Sequence, residues 1–205
     1  ARSVLMATGI VDTHPDVPDI AAMIKTGIVR LCPVCDGYEV IGQRVGVIGP
    51  PEDAMKKALF MRTFAGQVTL LLTEAASKLD KLAKEKLIKA GIEVASCISS
   101  SIRAENNQAC VMLADGKTVA FDTIYPAMGC TVRSKLAIDL GAQCDDAGNL
   151  VVDSHQRTTI PGLYAAGDIV DEINQIAVAF GHAAVPASDL HNYLAEAEEK
   201  ADRNR

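Results

Sequence analysis

Apolar positions in this chain alternate between short, wholly apolar runs and stretches repeating every three to four residues, which predicts an α/β protein. Val4-Leu5-Met6 reads as a short buried strand ending at Ala7-Thr8-Gly9, and a Pro- and Asp-rich connection runs from Asp12 to Asp19. Ile28-Val29-Arg30-Leu31 leads into Cys-Pro-Val-Cys-Asp-Gly, and Gly42 marks a turn. A βαβ unit follows. Arg44 to Gly49 is its first strand, Pro50-Pro51-Glu52-Asp53 opens a helix that Gly66 closes, and Val68 to Leu72 is apolar but for Thr69, as a central parallel strand is. In that helix Ala54, Met55, Ala58 and Leu59 share one face, which leaves Lys56 and Lys57 off it. A second helix is expected from about Ser77 to Ala90, carrying Leu79, Leu82 and Leu87 and ending at Gly91, before a third strand at Ile92-Glu93-Val94.

From Cys97 to Phe121 the period shortens to two and predicts a small antiparallel meander, with Asp115-Gly116 at one turn. Thr123 to Gly129 returns to a buried strand, and further strands are expected at Gly148–Asp153 and Leu163–Ala166. A long helix from about Gln175 to Glu199 contains Pro186, which should kink or interrupt it.

Composition narrows the function classes. The 205 residues are 49% hydrophobic but only 4% aromatic, so the core is built from aliphatic side chains. A net charge of −6 and the lack of a basic stripe argue against a nucleic-acid partner. No apolar run approaches membrane-spanning length. Ala1-Arg2-Ser3 leads straight into the first strand with no signal-peptide pattern, and the Ala start reads as a cut or processed end. Of six cysteines only Cys32 and Cys35 are close in sequence, which is no secreted disulfide framework, so a reducing compartment, the cytoplasm by default, is expected.

Cys32-Pro33-Val34-Cys35 is the most informative feature. Two intervening residues bring the sulfurs within disulfide distance, and Cys35 is expected near a helix or loop N-terminus where a thiolate is stabilised. Asp36 follows at once as a candidate proton donor and acceptor. A zinc site needs two further ligands, which no second Cys pair or close His pair supplies; incidental cysteines are the third reading. In the βαβ unit a dinucleotide loop calls for Gly-x-Gly-x-x-Gly/Ala, and the chain offers Gly49-Pro50-Pro51-Glu52-Asp53-Ala54. Pro51 has no N–H where the middle glycine should be, and Asp53 beside Glu52 adds negative charge at the phosphate position. At the end of the second strand, Thr73-Glu74 places an acid that suits ribose hydroxyls and repels a 2′-phosphate, favouring NADH over NADPH.

These pieces, in this order, resemble the thioredoxin-reductase-like, pyridine-nucleotide-dependent flavoproteins. The resemblance runs through Ala7-Thr8-Gly9, the Cys-Pro-Val-Cys-Asp-Gly segment, the βαβ unit and Ala127-Met128-Gly129. It continues to Gly162-Leu163-Tyr164-Ala165-Ala166-Gly167-Asp168 and Asn174-Gln175-Ile176-Ala177. It implies a Rossmann-like NAD(P)-binding domain at 21–127 that carries the cysteine pair, inserted in an incomplete FAD-binding domain of the same type at 1–20 and 128–205. Gly167, Asp168, Gln175, Ile176 and Ala177 become FAD candidates, and Gly129 a further cofactor-binding candidate. Gly49, Pro50, Pro51, Glu52, Asp53, Thr73 and Glu74 become nicotinamide-nucleotide candidates. Electrons would pass from NADPH or NADH through FAD to Cys35, the flavin-facing sulfur, then through Cys32, the exchanging one, to a thioredoxin-like protein disulfide or a small disulfide, with Asp36 as the acid. A homodimer is expected from the same resemblance, and the alternative is a fragment or redox-sensing relative that has lost nucleotide turnover. The family's first glycine-rich FAD loop and its basic cluster after the second strand have no counterpart here.

Overall fold

The computed structural model describes residues 1–73, 79–171 and 173–203. In chain order the elements begin with β1 (Val4–Met6), β2 (Ile10–Asp12), α1 (Ile20–Lys25) and α2 (Pro33–Asp36), then a 3-10 turn at Gly37–Val40. Next come β3 (Arg44–Gly49), α3 (Pro51–Met61), β4 (Gln67–Leu72), α4 (Lys81–Lys89) and β5 (Glu93–Ser96). The meander is β6 (Arg103–Glu105), β7 (Gln108–Met112) and β8 (Thr118–Phe121), followed by β9 (Thr123–Pro126). The remainder is β10 (Cys130–Val132), α5 (Lys135–Asp139), β11 (Leu163–Ala165) and α6 (Ile176–Arg203). The chain divides into two compact units, one formed by 12–129 and the other by 1–11 with 130–205.

The 12–129 unit is an α/β fold around a parallel sheet of order β5-β4-β3-β9. Both faces of that sheet are covered, and its side chains alternate between two cores. Val45, Val47, Leu70, Leu72 and Tyr125 pack with Ala54, Ala58, Met61 and Leu87 of the two helices. Ile48, Leu71 and Ile124 pack on the other side with Met23, Val111 and Phe121. Near-continuous apolar strands are what a sheet buried on both faces requires. Gly46 suits this close packing, because a Cβ there would lie 2.9 Å from Leu71 Cδ1 and 3.3 Å from Phe121 and would make both side chains shift.

Three elements differ from expectation. The second helix begins at Lys81, where the Asp80 carboxylate accepts from Ala83 N at 2.7 Å and caps it. Leu79 is therefore buried ahead of the helix, while Leu82 is exposed. The strand expected at Gly148–Asp153 does not form; Leu150 makes only isolated bridges to Cys144 and Val170. Finally, β2 forms at Ile10–Asp12 and pairs with β10, at the start of what reads in sequence as a loop.

In the other unit β1 pairs in parallel with β11, and Met6, Ala137, Leu150, Leu163, Ala165 and Ile169 form its core. Pro186 lies within α6, which continues through it to Arg203. Arg157 pairs with Asp189 of that helix, and Tyr164 Oη donates to the same carboxylate at 2.7 Å.

Candidate functional site

The Cys-Pro-Val-Cys segment folds as the sequence chemistry directs. Pro33, with fixed φ and no N–H, takes the first position of α2. Cys32 sits at the N-cap in extended conformation, and its Sγ accepts from Cys35 N at 3.2 Å. Cys32 thus holds the N-cap, and Cys35, as expected, lies near the helix N-terminus, at the third position of α2. The two sulfurs are joined in a disulfide with a Cα–Cα distance of 5.3 Å. Cys35 is the more exposed of the pair. Gly37 closes the turn where a Cβ would come within 2.9 Å of the Phe64 ring. No cluster of three or more metal-ligating side chains occurs among the described residues.

Asp36 is held by donors on both oxygens. Tyr125 Oη, from the middle of β9, donates to Oδ1 at 2.6 Å. Arg30 Nη1 donates to Oδ2 at 3.2 Å and also pairs with Glu39 at 2.6 Å. Burial, and after it the adjoining Asp36 carboxylate, holds the Tyr125 phenol well above its ordinary range, so at neutral pH it remains a donor. Lys57 belongs to the same frame. Its ammonium, expected on the wet side of α3, turns inward and donates to Pro126 O at 2.6 Å and Leu31 O at 3.3 Å. Burial pushes this ammonium below the ordinary Lys range, and the Asp12 and Asp53 carboxylates pull the other way. A cavity of about 490 Å³ opens beside the pair, lined by Lys25, Thr26, Gly27, Arg30, Cys32 and Asp36 among others.

Sequence reading missed Arg30, Glu39, Lys57 and Tyr125. For Tyr125 a signal was present: a phenol in an otherwise apolar buried strand needs a hydrogen-bond partner. For Lys57 there was none, since its helical phase points away from the apolar face and only the length of its side chain brings the ammonium back.

The candidate nucleotide loop is shaped by proline. Pro50 is the N-cap and Pro51 the first residue of α3, with no side-chain cap. Gly49 approaches the neighbouring strand so closely that a Cβ would lie 2.1 Å from Ala127 O. Packing alone therefore demands this glycine. Two of the N–H groups that would cradle a pyrophosphate are absent, and Glu52 and Asp53 are exposed in the first turn. These residues do not fit a dinucleotide phosphate. Thr73 follows β4, its N–H donating to Gly49 O at 3.3 Å, and Glu74 lies outside the described residues.

The flavin candidates lie in the 1–11 and 130–205 unit, and Gly129, the further cofactor candidate, ends the other. Gly167 turns left-handed after β11 with φ +77°, faces Ala179 and is followed by the half-buried Asp168. Gln175 O accepts from Ala179 N at 2.9 Å and so starts α6, whose first residues, Ile176 and Ala177, are exposed. An exposed apolar helix start beside a left-handed Gly-Asp turn fits one part of a flavin cofactor. Gly129 is also left-handed, with φ +79° and nothing near its missing Cβ.

Residues 1–183 match the model of the pyridine nucleotide-disulphide oxidoreductase family. The chain belongs to this family. It is 29% identical to the thioredoxin reductase of Mycolicibacterium smegmatis, over 96% of this chain and 65% of that protein. It is 28% identical to the bifunctional thioredoxin reductase/thioredoxin of Mycobacterium leprae (strain TN), over 96% of this chain and 44% of that protein. In structure it superposes on thioredoxin reductase from Streptococcus pyogenes with a TM-score of 0.82 at 24% identity, covering 95% of this chain and 66% of that one. The chain thus spans 65% and 44% of the length of these two curated relatives. The fold is the mixed α/β architecture of the family.

Proposed function

We propose that this chain carries the dithiol centre of a flavin-linked disulfide oxidoreductase, with Cys32 and Cys35 as the redox pair and a thioredoxin-like protein disulfide or a small disulfide as acceptor. The observation that carries the reading is the Cys32–Cys35 disulfide in a Pro-initiated turn, flanked by a carboxylate held in place by Tyr125 and Arg30. FAD, when bound, supplies a two-electron store, and Gly167, Asp168, Gln175, Ile176 and Ala177 are the residues of this chain that would hold it. In the exchange the reduced pair attacks an acceptor disulfide through one sulfur, and the second sulfur closes the Cys32–Cys35 bond. Each turnover oxidises one dithiol and releases two thiols from the acceptor. The relatives named as thioredoxin reductases support this class of acceptor, and homodimeric assembly is part of the same proposal.

The test uses a Cys130→Ser/Cys144→Ser chain, which removes the other exposed thiols, reduced with dithiothreitol and freed of reductant. It should deliver one two-electron equivalent to 5,5′-dithiobis(2-nitrobenzoate) and regain the Cys32–Cys35 disulfide, identified by peptide mass. Cys32→Ser and Cys35→Ser should each abolish that closure, so that the remaining cysteine releases one thiol, stops at the mixed disulfide, and the second release is lost. Undiminished release in either variant would sink the dithiol role. A second reading, a redox-sensing relative without nucleotide turnover, is favoured by the proline-capped α3 loop; no NADPH or NADH step is assigned to that loop.

A further inference from the structure

We propose that Tyr125 is a positioning residue for the dithiol, tying Asp36 to the sheet and thereby setting the pH range over which the reduced Cys32/Cys35 pair reacts. The inference rests on the reading of that pair as the exchanging dithiol. Tyr125 is fully buried in β9 among aliphatic side chains, where a Phe would fill the same volume without a polar atom. A buried hydroxyl is costly unless it is bonded. This one donates at 2.6 Å to the residue that follows Cys35. The bond spans 89 positions in sequence and links the rigid core of the sheet to a turn of four residues.

The charges around Asp36 define the effect. Arg30 approaches from the segment before the turn and pairs with both Asp36 and Glu39 of the following 3-10 turn. Lys25 of α1 lines the same cavity as Asp36. Lys57 of α3 is engaged with the carbonyls of Leu31 and Pro126, in the field of Asp12 and Asp53. From the sheet, Tyr125 supplies the hydroxyl donor on Oδ1. An anion beside a thiol disfavours the thiolate, and donors on that anion relieve the penalty. Removing the Tyr125 hydroxyl leaves the Asp36 charge less compensated and less fixed, so thiolate formation at the adjoining pair moves to higher pH.

The experiment is the pH profile of iodoacetamide alkylation at Cys32 and Cys35, resolved by peptide mass on the reduced chain. Tyr125→Phe should move the profile upward and slow alkylation at neutral pH by about three- to tenfold. Asp36→Asn, which removes the charge itself, should move the profile downward, and in that background Tyr125→Phe should add nothing. An unchanged profile in Tyr125→Phe, or a shift of equal size in the Asp36→Asn background, would overturn the proposal. The underlying reading is judged separately: if Cys32→Ser and Cys35→Ser leave second-thiol release undiminished, the dithiol role fails whatever Tyr125 does.

Discussion

Single side chains separate the reactive from the inert cysteines. Cys97 is buried between the meander and the sheet, and burial raises its thiol to about 11. At neutral pH it is therefore a protonated core residue. Cys144 is exposed. In the native chain iodoacetamide at neutral pH should label Cys144 readily and leave Cys97 unmodified until denaturant is added, as peptide mass analysis would show. Labelling of Cys97 at a comparable rate would mean that its side of the sheet opens locally. At this scale the pairing of Cys32 with Cys35 was legible in the sequence, because two intervening residues bring the sulfurs within disulfide distance. Arg30 and Glu39 were not, because a charged side chain reads the same in sequence whether solvated or paired.

At the scale of elements the strand–helix–strand rhythm was plain from β3 to β5, since apolar runs bounded by Gly and Pro admit few other readings. Boundaries were less so: Asp80, as a helix cap, sets the start of α4 later than apolar spacing alone implied. The segment around Leu150 alternates like a strand yet forms only single bridges, because a strand also needs a partner edge. Lys57 shows an element working beyond its own face. By donating to Leu31 O and Pro126 O it fastens the segment before the cysteine turn to the end of β9 and to α3. Lys57→Met keeps the aliphatic stem but leaves two carbonyls without this donor. It should lower the unfolding free energy by about 1–3 kcal/mol, measured by urea denaturation. A change within experimental error would show that water or neighbouring groups replace the ammonium without cost.

For the whole molecule, each unit has its own core, and the larger one is the Rossmann-like sheet on which the cysteine turn is mounted. No helix among the described residues is long and apolar enough to cross a membrane. The α3 loop bears on what the molecule binds. β3 runs into α3 as in a βαβ unit, but Pro50 and Pro51 open that helix and Glu52 and Asp53 fill its first turn, a start with fewer N–H donors and more negative charge than a phosphate calls for. NADH or NADPH at micromolar concentration should therefore leave the melting temperature of the chain unchanged. A ligand present at a hundred times its Kd would add about 2.7 kcal/mol of stability, so a rise of several degrees would show that the loop binds a dinucleotide after all.

The sequence by itself determined the α/β class, the closeness of Cys32 and Cys35 that lets them join in a disulfide, and the two prolines that open α3. Each of these is written locally, in apolar period, in cysteine spacing and in the missing N–H of proline. Tertiary structure decided which polar groups surround the pair. Tyr125 lies 89 positions from Asp36, and Pro126 lies 69 from Lys57. Only the pairing of β9 beside β3 brings those groups within hydrogen-bond distance of the cysteine turn and of α3. It likewise decided that Gly49 answers to the carbonyl of Ala127, because the closeness of two strands is a property of the packed sheet and of no single stretch of chain.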